Sequence, residues 1–241
     1  MTTKLKKIIL DIVDSTNHYA KQNYAMFCRS EITRISAKYQ TNGVGQLQKP
    51  WLSPKDKNIY STFFFFINKK QLPINNFSQI MTLCVVDLLE ELDLHCQIKW
   101  PNDIFLNGKK IGGVLCETID LKQEFGIALG VGINVNMPQN LLDKIDQRAT
   151  STFIETQQLE DISYLQSRLD ILFSTLYDRY ILNGFKEFAE KFCSHLIFKK
   201  NTLSFYHNGK KITGTFHSLH ESGLLNILAE DNKIYTVYNV F

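Results

Sequence analysis

Apolar and polar positions along the chain fall into two rhythms, one of strands and one of helices. Short runs rich in β-branched and aromatic residues predict strands at Lys7 to Val13, Ile32 to Tyr39, Ile59 to Ile67 and Gln97 to Trp100. In the second of these, Arg34, Ser36 and Lys38 alternate with Ile35, Ala37 and Tyr39, the pattern of a half-buried strand. In the third, Phe63 to Phe66 are four phenylalanines in succession, which implies burial on both faces; exposed, the run would invite aggregation. Ile104 to Leu106 and Lys110 to Glu117 flank Asn107-Gly108, a pair that tolerates positive φ and so predicts a hairpin, with Phe125 to Val135 pairing beside it. Ser15-Thr16-Asn17 offers capping side chains to a helix over His18 to Gln22. A second helix starts at Ser78 as N-cap, with Ile80, Leu83, Cys84, Leu88 and Leu92 at helical spacing. Asp161 to Leu182 is a long amphipathic helix, broken by Asn183-Gly184 before a Phe-rich helix ending near Cys193. After that, four short β runs (Thr202 to Tyr206, Lys211 to Phe216, Leu224 to Leu228, Ile234 to Tyr238) alternate with turn residues, which predicts a small closed β-barrel. The expected division is therefore residues 1–195 and 196–241.

Composition narrows the class without changing this picture. With 44% hydrophobic and 12% aromatic residues the 241-residue chain is neither disordered nor short of core. Its 27 Lys and Arg against 24 Asp and Glu leave +3, too little to mark a nucleic-acid binder by bulk charge. The cysteines, Cys28, Cys84, Cys96, Cys116 and Cys193, are odd in number and form no C-x-x-C pair, so neither a paired disulfide framework nor a zinc knuckle is expected. The basic start turns apolar only briefly before Asp11 and Asp14, well short of a signal peptide or membrane span, and a cytoplasmic protein is expected.

Three segments gather chemistry-bearing residues. Gln40 to Trp51 leaves a strand and holds Gly43 and Gly45, whose amides could cradle phosphate, although a third glycine is missing and, taken alone, the segment reads better as a surface turn. Lys99-Trp100-Pro101-Asn102-Asp103 sets a cation, an aromatic ring and a carboxylate around a rigid turn. Asp103 suits Mg²⁺, an ion that is held by few protein carboxylates beside nucleotide phosphates. Lys109-Lys110-Ile111-Gly112-Gly113 places two glycines inside a strand, which requires either a bulge or the close approach of a ligand, while periodicity alone reads Lys110 as a solvated hairpin lysine. Together with Asp14 to Asn17 and Gly130 to Asn136, these segments follow one another in the order seen in biotin–protein ligases, and the chain resembles the catalytic and C-terminal domains of that family over nearly its whole length. The N-terminal DNA-binding domain of some members is not expected here, because the catalytic motif begins at Ser15.

That resemblance implies an α+β fold, a mixed sheet with helices like that of class II aminoacyl-tRNA synthetases, followed by a small SH3-like β-barrel. It implies ATP and biotin as substrates, Mg²⁺ as the metal, biotinyl-5′-adenylate as the intermediate and a lysine of a biotin carboxyl carrier domain as the acceptor. It implies Lys110 as the catalytic cation between carboxylate and α-phosphate, and biotin contacts from Ser15, Thr16, Asn17, Gln40, Gly43, Gly45, Trp51, Gly112 and Gly113. Lys49, Lys99, Trp100, Asn102 and Asn134 fall to the nucleotide and Asp103 to the metal. No nucleic acid and no membrane are expected as partners, and a homodimer stays open because some relatives pair through the central sheet. The chain departs from the family in the glycine loop. The usual pattern G-R-G-R-x-G-R-x-W is replaced by Val44, Gln46 and Gln48, with Lys49 the only cation left. Lysine lacks arginine's bidentate fork, so a faster leak of adenylate is expected. A lipoate-type ligase and a non-catalytic biotin- or nucleotide-binding module are the alternatives.

Overall fold

A computed structural model gives the structure of residues 3–70, 73–197, 202–238 and 240. Its elements are β1 (Lys4–Val13), α1 (Thr16–Gln22), β2 (Glu31–Gln40), β3 (Ile59–Asn68), α2 (Asn75–Glu90), β4 (Gln97–Lys99), β5 (Asp103–Leu106), β6 (Lys109–Asp120) and β7 (Glu124–Ile133). They continue with α3 (Gln139–Leu142), α4 (Thr152–Thr156), α5 (Ile162–Asn183), α6 (Lys186–His195), β8 (Thr202–His207), β9 (Lys210–Leu219), β10 (Leu225–Ala229) and β11 (Ile234–Val237). The fold is α+β. A seven-stranded mixed sheet runs in the order β1-β2-β3-β7-β6-β5-β4, with β1 parallel to β2 and the other pairs antiparallel.

One face of this sheet carries α2 and α5. Phe63 and Phe65 pack there against Phe173, and Phe65 also meets Phe77 and Tyr177. The other face is closed at its far end by α1 and a second cluster of Ala20, Phe27, Phe64, Phe66 and Ala128. The phenylalanine run is thus buried on both sides, as its continuous apolarity requires. The hairpin turn is as expected, with φ of 50° at Asn107 and 73° at Gly108.

Four expectations need correction. The second strand is not half-buried: Arg34 and Ser36 lie inside, because α5 covers that face and presents Asp170 to Arg34 at 3.0 Å. Ser15 does stand at the N-cap of α1, but its side chain caps nothing. The helix expected from Ser78 begins at Asn75, since Asn76 and Gln79 reach across to the carbonyls of Glu221 and Gly223 and are buried by them. The C-terminal strands form an open antiparallel sheet, β11-β10-β9-β8, rather than a closed barrel; among the described residues no pairing joins β8 to β11. The four strands of the described residues do not enclose a core of their own: Leu203, Phe205, Leu225, Ile227 and Val237 join the core under α2 and the large sheet.

No disulfide links the five cysteines, of which Cys84 and Cys96 are buried, Cys116 and Cys193 half-buried and Cys28 exposed. Among the described residues no helix is long and apolar enough to cross a membrane.

Candidate active site

A cavity of about 300 Å³ opens on the sheet face opposite α2 and α5. Its floor is made by β6 and β7, where Gly113 pairs with Gly132 and Leu115 with Gly130. A side chain at Gly132 would meet the Trp51 indole at 2.5 Å, and one at Gly130 would overlap the Asn17 amide. The glycines therefore let polar and aromatic groups from other segments lie directly on the backbone.

A β-bulge decides which residues reach this floor. The β5–β6 register shifts between Ile104 and Phe105, so that Gly112 faces Ile104 while Lys110 faces Phe105, leaving Ile111 as the extra residue. Strict alternation would put Lys110 on the face of Gly112. The bulge moves it to the face of Gly113 instead, where a Cβ would lie 3.3 Å from Lys110 Cε and 3.2 Å from Asp103 Oδ1. Gly112 consequently looks the other way, toward Ile104 and Val85 in the core. The Lys110 backbone is held as well, its N–H donating to Arg148 O and its C=O accepting from Thr150 N, both at 2.9 Å.

Lys110 Nζ, 14% exposed at its side chain, pairs with Asp103 Oδ1 at 2.6 Å and sits 5.5 Å from the Trp51 ring centroid. Asp103 is the only carboxylate lining the cavity among the described residues. Lys99 lines the cavity with its ammonium 5.9 Å from the Phe105 ring centroid, and Lys49 stands exposed at the mouth. Trp100 and Asn102 line the cavity too, but their side-chain N–H groups are already engaged. Trp100 Nε1 donates to Gly223 O at 3.0 Å, and the Asn102 amide donates to Val114 O. They fix the turn that presents Asp103.

The opposite end is polar and closely wired. Thr16 N donates to Gln40 Oε1 at 2.9 Å, and Gln40 Nε2 donates to Ser53 Oγ at 2.9 Å, which donates to Trp51 O. Thr62 Oγ1 lies 2.8 Å from Thr16 Oγ1 and donates to Asn17 Oδ1 at 2.6 Å. Ser15 is buried there as well. Tyr60, whose phenol burial pushes up, stays a donor and holds Pro54 O at 3.0 Å.

Of the residues singled out from sequence, Ser15, Thr16, Asn17, Gln40, Gly45, Lys49, Trp51, Lys99, Trp100, Asn102, Asp103, Lys110 and Gly113 come together around one cavity. Gly43, Gly112 and Asn134 do not line it. Gly43 is wedged at the loop root, where a Cβ would meet Trp51 O and Ser53 Oγ at 2.6 Å. Asn134 joins Asn58 to the Thr150 carbonyl. Sequence reading missed Gln147, which arrives on a stretch with no periodic signal, and Thr62, hidden in a strand read only for its apolarity.

The model of the biotin/lipoate A/B protein ligase family matches residues 10–134, which hold the cavity's two ends and its floor. Biotin--protein ligase 2 of Arabidopsis thaliana is 25% identical over 221 residues, covering 83% of this chain and 63% of its own length. The bifunctional ligase/repressor BirA of Bacillus subtilis is 27% identical over 183 residues, 73% of this chain and 54% of its own. The chain thus spans less than two thirds of the length of these relatives. A biotin protein ligase from Aquifex aeolicus, solved in complex with biotin and ATP, superposes with a TM-score of 0.78 and 29% identity over 98% of this chain and 97% of that one.

Proposed function

The chain belongs to the biotin/lipoate A/B protein ligase family, and from that premise we propose that it is a biotin–protein ligase acting on a biotin carboxyl carrier domain. In the first step an oxygen of the biotin carboxylate attacks the α-phosphorus of ATP and pyrophosphate leaves. In the second, the acceptor lysine amine attacks the carbonyl of biotinyl-5′-adenylate and AMP leaves. The first step brings two anions together, so neutralising charge supplies much of the rate.

The observation that carries this reading is the placement of Lys110. One ammonium, mostly withdrawn from water and held by a bulge, lies over a bare glycine floor in a cavity whose other end is a wall of hydrogen-bonding groups. A compact charge on a flexible stem can follow the carboxylate and phosphate oxygens as they close, which a rigid guanidinium fork could not. Biotin would lie along the floor, its ring at Ser15, Thr16, Asn17 and Gln40 and its carboxylate at Lys110. ATP would lie toward Lys99 and Lys49. Among the described residues no three His, Cys, Asp or Glu side chains gather into a metal cage. A single carboxylate, Asp103, does fit an Mg²⁺ that takes its remaining ligands from phosphates and water. When bound there, the ion would neutralise triphosphate charge, and Asp103 would exchange Lys110 for it as partner. Gly43, Gly112 and Asn134 would serve from behind by fixing the loop and strands. Residues 1–195 would form the catalytic domain, and the open sheet within 196–241 would be the counterpart of the family's small SH3-like domain.

ATP–pyrophosphate exchange with biotin and with lipoate in parallel tests the assignment. Exchange with biotin, and a carrier domain gaining the mass of one biotinyl group, is the expected result. Lys110→Ala should lower exchange by about 10²- to 10³-fold with its melting temperature unchanged. Exchange with lipoate alone, or binding without exchange, would overturn the assignment.

A further inference from the structure

We propose that Glu117, which does not itself line the cavity, is a positioning residue that sets which way round the Asn17 amide lies and so makes the polar end of the cavity an acceptor for ligand N–H groups. The inference rests on the biotin-ligase reading above and assigns that end's chemical preference to a residue outside the binding wall.

An ionised carboxylate only accepts hydrogen bonds, whereas an asparagine can present either an oxygen or an NH₂ after a half-turn of its amide. Asn17 Nδ2 donates to Glu117 Oε2 at 2.9 Å and also faces two backbone carbonyls, Leu115 O at 3.3 Å and Ala128 O at 3.5 Å. Turned the other way, its oxygen would confront all three acceptors. On the opposite side Thr62 Oγ1 donates to Asn17 Oδ1. The other oxygen of Glu117 is held by Lys21 Nζ from α1 at 2.6 Å, so the carboxylate cannot rotate freely away. Both neighbours of the amide therefore specify the same orientation, and the charged one is the stronger.

The consequence travels into the cavity. Asn17 lines the cavity, its Oδ1 is the atom that a Cβ on the floor glycine Gly130 would overlap, and that oxygen keeps a second lone pair beyond the one Thr62 takes. Thr62 carries a single proton, which the shorter contact gives to Asn17 Oδ1, while the Thr16 hydroxyl donates to Gln40 Oε1 at 3.2 Å. The Thr16 proton thus stays inside the wall, which leaves the oxygen of this cavity-lining residue as an acceptor. Two acceptors side by side match a cyclic urea, which offers two N–H groups. A dithiolane offers none.

The test is the steady-state KM for biotin and kcat in biotin-dependent pyrophosphate exchange. In Glu117→Gln, Lys21 claims the amide oxygen, and the new NH₂ then faces Asn17 and favours its flipped form. KM should rise about 10- to 100-fold with kcat within about 3-fold of wild type. Lys21→Met alone should raise KM about twofold. In the double variant K21M/E117Q the glutamine oxygen is free to face Asn17, so KM should fall at least about fivefold below that of E117Q. A purely structural role predicts no such rescue. Should E117Q not fold, the near-isosteric Thr62→Val removes the other determinant of the amide's orientation and should raise KM about 3- to 10-fold at unchanged kcat. KM within twofold of wild type in E117Q (or in T62V, where that variant decides), a matching loss of kcat, or a double variant no better than E117Q would overturn the inference. Wild-type protein without biotin-dependent exchange would instead overturn the parent reading, and this one with it.

Discussion

Strand β7 builds two unlike surfaces from alternate residues. Ile127, Leu129, Val131 and Ile133 enter the large core beneath α2 and α5, while Gly126, Ala128, Gly130 and Gly132 face the other way. On the first surface every position is filled by its own side chain. On the second the filling comes from elsewhere: Phe64 lies over Gly126, Asn17 over Gly130 and Trp51 over Gly132. Strand β6 repeats the contrast, with Val114 in the core and Gly113 in the cavity floor. The comparison shows how one backbone serves stability and recognition together. Large residues on one face hold the strands rigid, and small ones on the other leave room for groups that meet a ligand.

Removing bulk from the packed face should give the largest effect and should leave chemistry alone. Phe65→Ala deletes a ring that touches Phe77, Phe173 and Tyr177, and it should cost about 3–5 kcal/mol in denaturant unfolding. The exchange rate per folded molecule should hardly move; a loss of rate exceeding the loss of folded protein would show that the two faces are not separable. Adding bulk to the bare face should do the reverse. Gly132→Ala sets a methyl where Trp51 now lies, so KM for biotin should rise about tenfold while stability falls by about 1–3 kcal/mol, less than for Phe65→Ala. An unaltered KM would mean that the floor is not where the ligand rests. The smallest effect belongs to the cavity mouth, where Gln46 is exposed. Gln46→Arg supplies the fork that the loop lacks and should slow release of the adenylate about 3- to 10-fold in stopped flow, with no change in unfolding.

Much of the site was legible because it is written in residues whose usual places it violates. Glycines inside a strand, a lysine before them and a Lys-Trp-Pro-Asn-Asp turn each admit an ordinary hairpin reading alone, but their order along the chain does not, and Gly113, Lys110 and that turn meet at one cavity. The glycine pair was read too generously. Both glycines were expected beneath the ligand, yet Gly112 faces the core, because side chains of neighbouring strand residues point to opposite faces. Arg34 was read as a solvent-facing polar position, and nothing near it in sequence announces Asp170, which reaches it from α5.

Local sequence, then, determined the strands, the presence of α1, α2, α5 and α6, the Asn107-Gly108 turn and the inventory of chemical groups, since these depend on periodicity and backbone preference within a few residues. Tertiary structure alone decided the bulge that turns Lys110 onto the face of Gly113, the packing of the C-terminal strands as an open sheet and the contact of Glu117 with Asn17 across 100 residues. Each of these is settled by partners distant in sequence: the 148–150 segment holding Lys110, the shared core beneath α2, and the α1 lysine on Glu117. Periodicity cannot report such partners, because it records which face of an element is apolar and not which remote group will meet it.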